Sequence, residues 1–481
     1  MGRILIAPND HFTRTLMKSQ PHRQRRNSGM TRRSFLAASA AAAGGLASGG
    51  LHAADQPAPR KIPGTEKVNV AVVGAGGRGF EDLRGLDGTG AHIVALCDCD
   101  LPHAADAFKK YPDARRFSDW RKMLESEKAI DAVLVATPDH HHAIVSIAAM
   151  KLGKHVYCEK PLGHSVWEVR QMAKIAAESG VATQMGTQGH AFEGSRRAVE
   201  MIRAGAIGLV RELHVWTDRP ANWWPAGVGR PEDKPPVPEG LDWDLWLGPV
   251  AQRPYNPAYV PFKWRGYWDF GTGSIGDMGV HNLDTVFWGL ELGLPTSVEV
   301  KDSSPALDDP AMRESEPKSC VLEFNYPARG DTPPVKMTWY SGGKLPPREL
   351  FQGETLITRD GGSLAIGSKG TLFTRTWHGG ENDRNMFLLL PKKQFEGFTG
   401  PEKSIPRVKS HHQEWVDACR GEGKTLSNFG YASVLTEGLL LGNLALRTGK
   451  KIVWDAQKME ATGCPEATAL IRPEFRKGWV L

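Results

Sequence analysis

Asp277 and His281 stand four residues apart in a run, Ile275 to Leu290, that reads as a helix with glycines near its start. Four residues is about one helical turn, so both side chains project from one face. A carboxylate there can hold an imidazole tautomer or bind a substrate hydroxyl. The imidazole can take the proton of an alcohol whose carbon gives up hydride. The same spacing also suits a plain contact on a helix surface, and the pair alone leaves both readings open. A second candidate site lies earlier, where Gly74-Ala75-Gly76-Gly77-Arg78-Gly79 follows the apolar run Val68 to Val73 and precedes a helical stretch. Gly74 permits a tight turn, Gly76 lets the backbone approach a pyrophosphate, and Gly79 lets the helix pack close to the strand with its N–H groups facing the anion. The next apolar run, His92 to Cys97, ends at Asp98, 24 residues after Gly74. An acid there can accept hydrogen bonds from the adenosine ribose hydroxyls and would repel a 2′-phosphate, which favours NAD over NADP. A turn residue without a ligand is the alternative for Asp98.

The elements that must position these residues alternate strand and helix. Ala132 to Ala136 ends in Thr137-Pro138, a helix from His140 to Met150 follows, and Gly153-Lys154-His155-Val156-Tyr157-Cys158 runs into Glu159-Lys160-Pro161. Such alternation implies a doubly wound parallel sheet with ligands at the carboxyl ends of its strands. Thr137-Pro138 and Glu159-Lys160-Pro161 both fall at such ends. His140, His141 and His142 point three ways from a helix, so they cannot share one metal ion, and no metal is expected. Val181 to Met185 reads as the last strand of this sheet. After it come a helix, Arg196 to Ala204, and a strand, Val210 to Trp216. Seven tryptophans then fall within 53 residues: Trp216, Trp223, Trp224, Trp243, Trp246, Trp264 and Trp268. Tryptophan faces stack on the C–H faces of sugar rings, but most of these are expected to pack a long loop or an interface. Further strands are expected at 297–300, 319–324, 335–339 and 371–374, with helices from His411 to Cys419 and from Glu437 to Leu446. The fold class is α/β: an N-terminal Rossmann-type parallel sheet over 67–187, then an α+β domain over 188–481 with an open, mostly antiparallel sheet.

Gly74 to Gly79, Thr137-Pro138, Gly153 to Val156 and Glu159-Lys160-Pro161 together resemble the glucose–fructose oxidoreductase / inositol dehydrogenase / rhizopine-catabolism (Gfo/Idh/MocA) family, from about Val68 to the end of the chain. The resemblance implies that Lys160 sits beside the nicotinamide and the reacting hydroxyl, and that Asp277 and His281 join it, with His281 as base. General acid–base help of that kind is worth ~10²–10⁴ in rate. Tyr267 is the runner-up base. Arg78, Thr137, Pro138, His142 and Glu159 join Gly74, Gly76, Gly79, Asp98 and Lys160 as expected NAD contacts, and Tyr267, Trp264 and His190 as expected substrate contacts. The resemblance further implies a sugar or polyol oxidoreductase that forms homo-oligomers through its second sheet.

With 481 residues, 40% hydrophobic and 24% charged, the chain is neither disordered, collagenous nor a coiled coil. Its formal charge of +6 suggests a nucleic-acid binder, but residues 1–54 hold eight Lys/Arg and one acid, Asp10; without them 52 basic residues face 53 acidic ones. The basic excess belongs to this leader, so no nucleic-acid partner is expected. Thr31-Arg32-Arg33-Ser34-Phe35-Leu36 is a twin-arginine motif, followed by a soft Ala/Gly stretch and small residues at Ala53-Ala54, the anatomy of an export signal. Met30 is an alternative start. Six Gly or Ser between Ala37 and Leu51 make a poor anchor helix, so no membrane span is expected in the mature form. Residues 55–66 read as a flexible linker. Six cysteines without a CxxC pair make no disulfide framework. An exported dehydrogenase finds no free NAD pool, so its cofactor must be held tightly and regenerated in place. One redox-neutral cycle oxidises one sugar and reduces another carbonyl compound. A second passes through a transient 3-keto sugar and cleaves a glycoside. A non-catalytic nucleotide- and sugar-binding protein is the third reading.

Overall fold

The computed structural model describes residues 58–375 and 387–481. The twin-arginine motif, the rest of the leader and the first linker residues lie outside the described residues. The described part of the linker departs from the expected flexible connector. Arg60 makes a bidentate pair with Asp131, Nε to Oδ1 at 2.6 Å and Nη2 to Oδ2 at 2.8 Å, and Ile62 is buried in the first core. The Asp131 carboxylate is out of water, and a buried charge requires a partner.

Six parallel strands form the first sheet: β1 (Val68–Val73), β2 (Ala91–Cys97), β3 (Arg115–Phe117), β4 (Ala132–Val135), β5 (His155–Cys158) and β6 (Thr183–Met185). Their order is β3-β2-β1-β4-β5-β6, that of a Rossmann fold. Five helices connect them: α1 (Arg78–Leu86), α2 (Ala105–Lys110), α3 (Trp120–Ser126), α4 (Asp139–Lys151) and α5 (Val166–Ser179). Helices on both faces bury β4 and β5 at every position, which is why both read as unbroken apolar runs. The strand order reverses between β1 and β4. A crevice therefore opens at the carboxyl ends, beside Gly74, Asp98, Thr137 and Glu159.

After α6 (Glu193–Arg203) the second sheet begins with β7 (Val210–Trp216). A long loop carries α7 (Trp243–Leu247) and leads to α8 (Gly273–Asn282) and α9 (Asp284–Leu290). Then come β8 (Ser297–Ser304), β9 (Ser319–Tyr326), β10 (Val335–Tyr340), β11 (Gly362–Gly367), β12 (Thr371–Arg375) and β13 (Phe387–Leu390). The chain closes with α10 (His411–Cys419), α11 (Phe429–Thr448), β14 (Ile452–Asp455), β15 (Glu460–Ala461) and α12 (Thr468–Ile471). The sheet order is β13-β12-β11-β7-β10-β9-β8-β14-β15; among the described residues of this sheet only β7 and β10 pair in parallel. The expected architecture, a Rossmann sheet followed by a mostly antiparallel one, is what the chain forms.

One continuous hydrophobic core runs from β4 and β5 through α11 to β9 and β10. Helix α11 has the length and apolarity of a membrane span, but 83% of that window is buried inside the protein. Helix α10 comes after the second sheet yet packs in the first core, where Trp415, Val416 and Cys419 meet residues of β1 and β4. His412 stacks on Tyr157 at 5.2 Å, and the His411 ring meets the Met185 carbonyl at 2.8 Å. The helix expected over 275–290 pauses at Leu283. There Asn282 donates to the Trp216 carbonyl at 2.5 Å, and Asp284 turns to accept from Tyr431 at 2.7 Å.

Candidate active site

Helix α8 carries Asp277 and His281, and two buried carboxylates orient its N-terminus. Asp139, in the first turn of α4, accepts from the Thr272 N–H at 3.0 Å and its hydroxyl at 2.7 Å. Glu316, from the second domain, accepts from the Ser274 N–H at 2.8 Å and its hydroxyl at 2.7 Å. The first N–H groups of a helix lack intrahelical partners, and these carboxyl oxygens supply them while tying α8 to a different domain each. Close contact with α11 then sets the depth of α8, because a Cβ on Gly279 would lie 3.0 Å from Leu439.

This places Asp277 against the end of β5. The Lys160 Nζ donates to Asp277 Oδ1 at 2.5 Å and to the Asp277 carbonyl at 3.1 Å. Two arginines complete the surround: Arg265 Nε lies 3.5 Å from Oδ1 and Arg219 Nε 3.6 Å from Oδ2. Burial alone would raise the Asp277 carboxyl, but Lys160, Arg265 and Arg219 outweigh it and hold the group well below the ordinary carboxylate range. At His281 burial acts first and the Lys160 ammonium second; together they push the imidazole well below its ordinary value, against the pull of Asp277. The ring is therefore neutral at physiological pH. The structure thus brings Lys160 and Asp277 into contact, with His281 near enough to feel both charges. It adds that Asp277 holds the lysine directly.

Beside this group lies a cleft of about 1180 Å3, counted out to open solvent, lined by Gly74, Gly76, Arg78, Asp98, Thr137 and Lys160 among others. Its features fit an NAD molecule. Gly74 has φ +80°, and a Cβ there would lie 2.7 Å from Ala136; a Cβ on Gly79 would sit 1.8 Å from the Gly74 carbonyl oxygen. Asp98 accepts from the Gly76 N–H at 3.0 Å and the Asp100 N–H at 2.9 Å. Each oxygen keeps lone pairs for further donors. The buried Thr137 hydroxyl has no hydrogen-bond partner among the described residues, as a group waiting for a ligand would. Glu159 accepts from Gln188 at 2.7 Å and Arg78 at 3.2 Å; burial pushes its carboxyl up, against Arg78. Loop residues Trp246, Phe262 and Trp264, with Trp479 near the C-terminus, wall the opposite side.

Three expected contacts are corrected. His142 does not line the cleft. Its Nδ1 lies 2.7 Å from the Pro161 carbonyl and its Nε2 2.9 Å from the Thr137 carbonyl, so it clamps the two turns from behind. Burial opposes its charge, but Cys158, Asp139 and the Pro161 carbonyl raise it to about 10, consistent with both nitrogens donating. His190 is fully buried, stacked on Trp288 at 3.9 Å with Nδ1 2.9 Å from Asp284; apolar packing took it into the core. Tyr267 is buried against Tyr259 at 4.8 Å, and burial pushes its phenol up to about 12, which makes it a poor base. Trp264 does reach the cleft. The sequence reading missed Arg219 and Arg265. Each sits in an aromatic-rich loop context, but nothing in their spacing points to Asp277. Of the seven tryptophans, Trp243, Trp246 and Trp264 form a small core with Leu241, Tyr259 and Phe270. His140 and His141 spend ring nitrogens on the Trp246 carbonyl at 3.0 and 2.9 Å.

Comparison with known proteins gives the class. Residues 68–187 match a family model described as an oxidoreductase family with an NAD-binding Rossmann fold, and 194–314 match the model of that family's C-terminal alpha/beta domain. The two matches span just over half of the chain, and the chain belongs to this Gfo/Idh/MocA oxidoreductase family. It is 28% identical over 151 residues to inositol 2-dehydrogenase of Salmonella typhimurium, covering 31% of this chain and 45% of the relative. It is 33% identical over 202 residues to a glycosyl hydrolase family 109 protein of Stenotrophomonas maltophilia, covering 38% and 41%. The chain thus spans less than half the length of the curated relatives it matches. Among solved structures, the WlbA dehydrogenase of Bordetella pertussis in complex with NADH and UDP-GlcNAcA has a TM-score of 0.55 at 19% identity, covering 81% of this chain and 99% of that one. The aldose–aldose oxidoreductase of Caulobacter crescentus has a TM-score of 0.53 at 16% identity, covering 81% and 100%. At such identities the likeness is one of fold.

Proposed function

We propose that this protein oxidises a hydroxyl of a sugar or polyol with tightly held NAD. The observation that carries the reading is the Lys160–Asp277 contact at 2.5 Å, at the carboxyl end of β5 and one helical turn from His281. Bound NAD supplies the hydride acceptor. Neutral His281 takes the proton of the reacting hydroxyl. The Lys160 ammonium donates to the same oxygen and stabilises the charge that grows on it. Asp277 keeps Lys160 aimed, and the product is a carbonyl compound with the proton left on His281. Export through the twin-arginine pathway to the periplasm explains why NAD must stay bound and be regenerated by a second carbonyl substrate. The exposed face of the second sheet is the surface through which we expect self-association. Likeness to a glycosyl hydrolase family 109 protein supports a second reading, a redox-neutral cleavage of glycosides through a transient 3-keto sugar.

The test is the Lys160→Met variant, with bound-nicotinamide absorbance followed during a screen of sugars. Wild type should show reduction by at least one sugar or polyol. The variant should lose at least ~10²-fold in rate while keeping its melting temperature and bound nucleotide. Full retained turnover in Lys160→Met overturns the assignment. Release of an aglycone from an aryl glycoside without net cofactor reduction selects the second reading.

A further inference from the structure

Arg219 and Arg265 bring more positive charge to the site than Asp277 can neutralise. Three cations, Lys160 included, face one carboxylate. Both arginines approach it side-on through Nε, at 3.6 and 3.5 Å, beyond hydrogen-bond length. Their forks point elsewhere. Arg219 Nη1 is buried and has no hydrogen-bond partner among the described residues; Arg265 Nη1 donates to the Phe262 carbonyl at 3.0 Å. Aromatic rings hold both guanidinium planes. Arg219 lies 4.0 Å from the Trp223 ring centroid, and Arg265 lies 4.2 and 4.3 Å from those of Phe262 and Trp264. With the planes covered, their edges are what remains to be read.

The other nearby acids make no ion pair with these arginines, although Asp139 lies near enough for the Arg265 charge to lower its carboxyl against burial. Asp139 is engaged by Thr272, Glu316 by Ser274 and Trp224, and Glu159 by Arg78 and Gln188. None of these, nor Asp218 next in the chain, forms an ion pair with Arg219 or Arg265 among the described residues. We infer that the substrate is a sugar acid whose carboxylate is held by Arg219 and Arg265, an inference that rests on the dehydrogenase reading of Lys160 and His281. A planar carboxylate matches two guanidinium edges, and a buried unpaired donor penalises a ligand that lacks it. Both arginines touch the same Asp277 that holds Lys160. The anionic group must then lie within about one sugar ring of the reacting hydroxyl, on the sugar itself rather than on a distant phosphate.

The experiment uses the holoenzyme and matched pairs: D-glucuronate with D-glucose, D-galacturonate with D-galactose, and D-mannuronate with D-mannose, with the hexose 6-phosphates as a third arm. Single-turnover reduction of bound nicotinamide and calorimetric binding are both read. In at least one pair the acid should exceed its neutral partner by about 100-fold in kcat/KM and also bind more tightly. Arg219→Gln and Arg265→Gln should each lower that acid-over-neutral ratio at least about 10-fold, with melting temperature reporting that the variants fold. A neutral or phosphorylated hexose preferred over every acid overturns the inference while the dehydrogenase reading stands, and so does a ratio unmoved in both variants. Acids that bind through Arg219 and Arg265 without any sugar reducing the cofactor support the anion site and overturn the dehydrogenase reading. No binding of any acid overturns the inference.

Discussion

His281 can act as a base only while its ring is neutral. Burial, Lys160 and Arg219 all push the imidazole well below its ordinary value. A lowered value means that the neutral form persists as pH falls, so kcat/KM for oxidation should stay flat from neutrality to below about pH 6. Arg219 is one of the charges responsible. Arg219→Gln should therefore move the acid limb upward. A wild-type limb at the ordinary histidine value, unmoved in the variant, would show that another group takes the proton. Thr137 makes a related point at the same scale: its buried hydroxyl has no hydrogen-bond partner among the described residues and lies at the lining of the cleft, where a bound nucleotide could supply one.

Helix α8 is the element on which the site depends, because Asp139 and Glu316 grip its first turn from the two domains. Burial raises the Glu316 carboxyl to about 7, although its three hydrogen-bond donors oppose that. A raised value means that the folded state prefers the protonated acid. The stabilisation is complete below the unfolded value of about 4.5 and is lost as pH rises through about 7. Gln at this position imitates the neutral form. Relative to wild type, Glu316→Gln should gain stability between pH 5 and 8.5, a swing of up to about 3 kcal/mol. Thermal melts at both pH values measure it, and a pH-independent difference rules out ionisation of Glu316 as the cause. Much at this scale was legible in the chain. Alternation of apolar runs marked five of the six strands of the first sheet, and β7 was read with its true limits; β3, three residues long with two exposed arginines, left no such signal. The break at Leu283 was not legible, since it follows from Asn282 meeting the carbonyl at the end of β7.

At the scale of the molecule, two domains close on one cleft. Trp246, Phe262 and Trp264 from the long loop, and Trp479 near the C-terminus, face the glycine turn and Asp98 across it. The loop is held by its own small core and by Arg253, which pairs with Glu314 at 2.8 Å and Asp269 at 3.2 Å. A wall this well supported should make nucleotide exchange slow. Purified protein should retain NAD through gel filtration, as measured by mass spectrometry of the denatured eluate. Phe262→Ala should raise the release rate several-fold, because Phe262 lines the cleft although it is itself partly exposed. Nucleotide lost equally fast from both proteins would assign retention elsewhere.

Local chemistry could be read from the residues alone. A glycine-rich turn after a strand, an acid after the next strand and a Glu-Lys-Pro turn after the fifth depend on backbone geometry and on neighbours close in sequence. They therefore pointed to the cofactor fold and to Lys160. What only the tertiary structure decided is which distant groups share a space: that Lys160 grips Asp277, that Arg219 and Arg265 crowd the same carboxylate, and that His142, His190 and Tyr267 turn away from the cleft. Those partners are separated by tens to hundreds of residues. Their meeting is set by how helices and sheets pack, and hydrophobic burial, being non-directional, leaves no mark of such pairings in the local pattern.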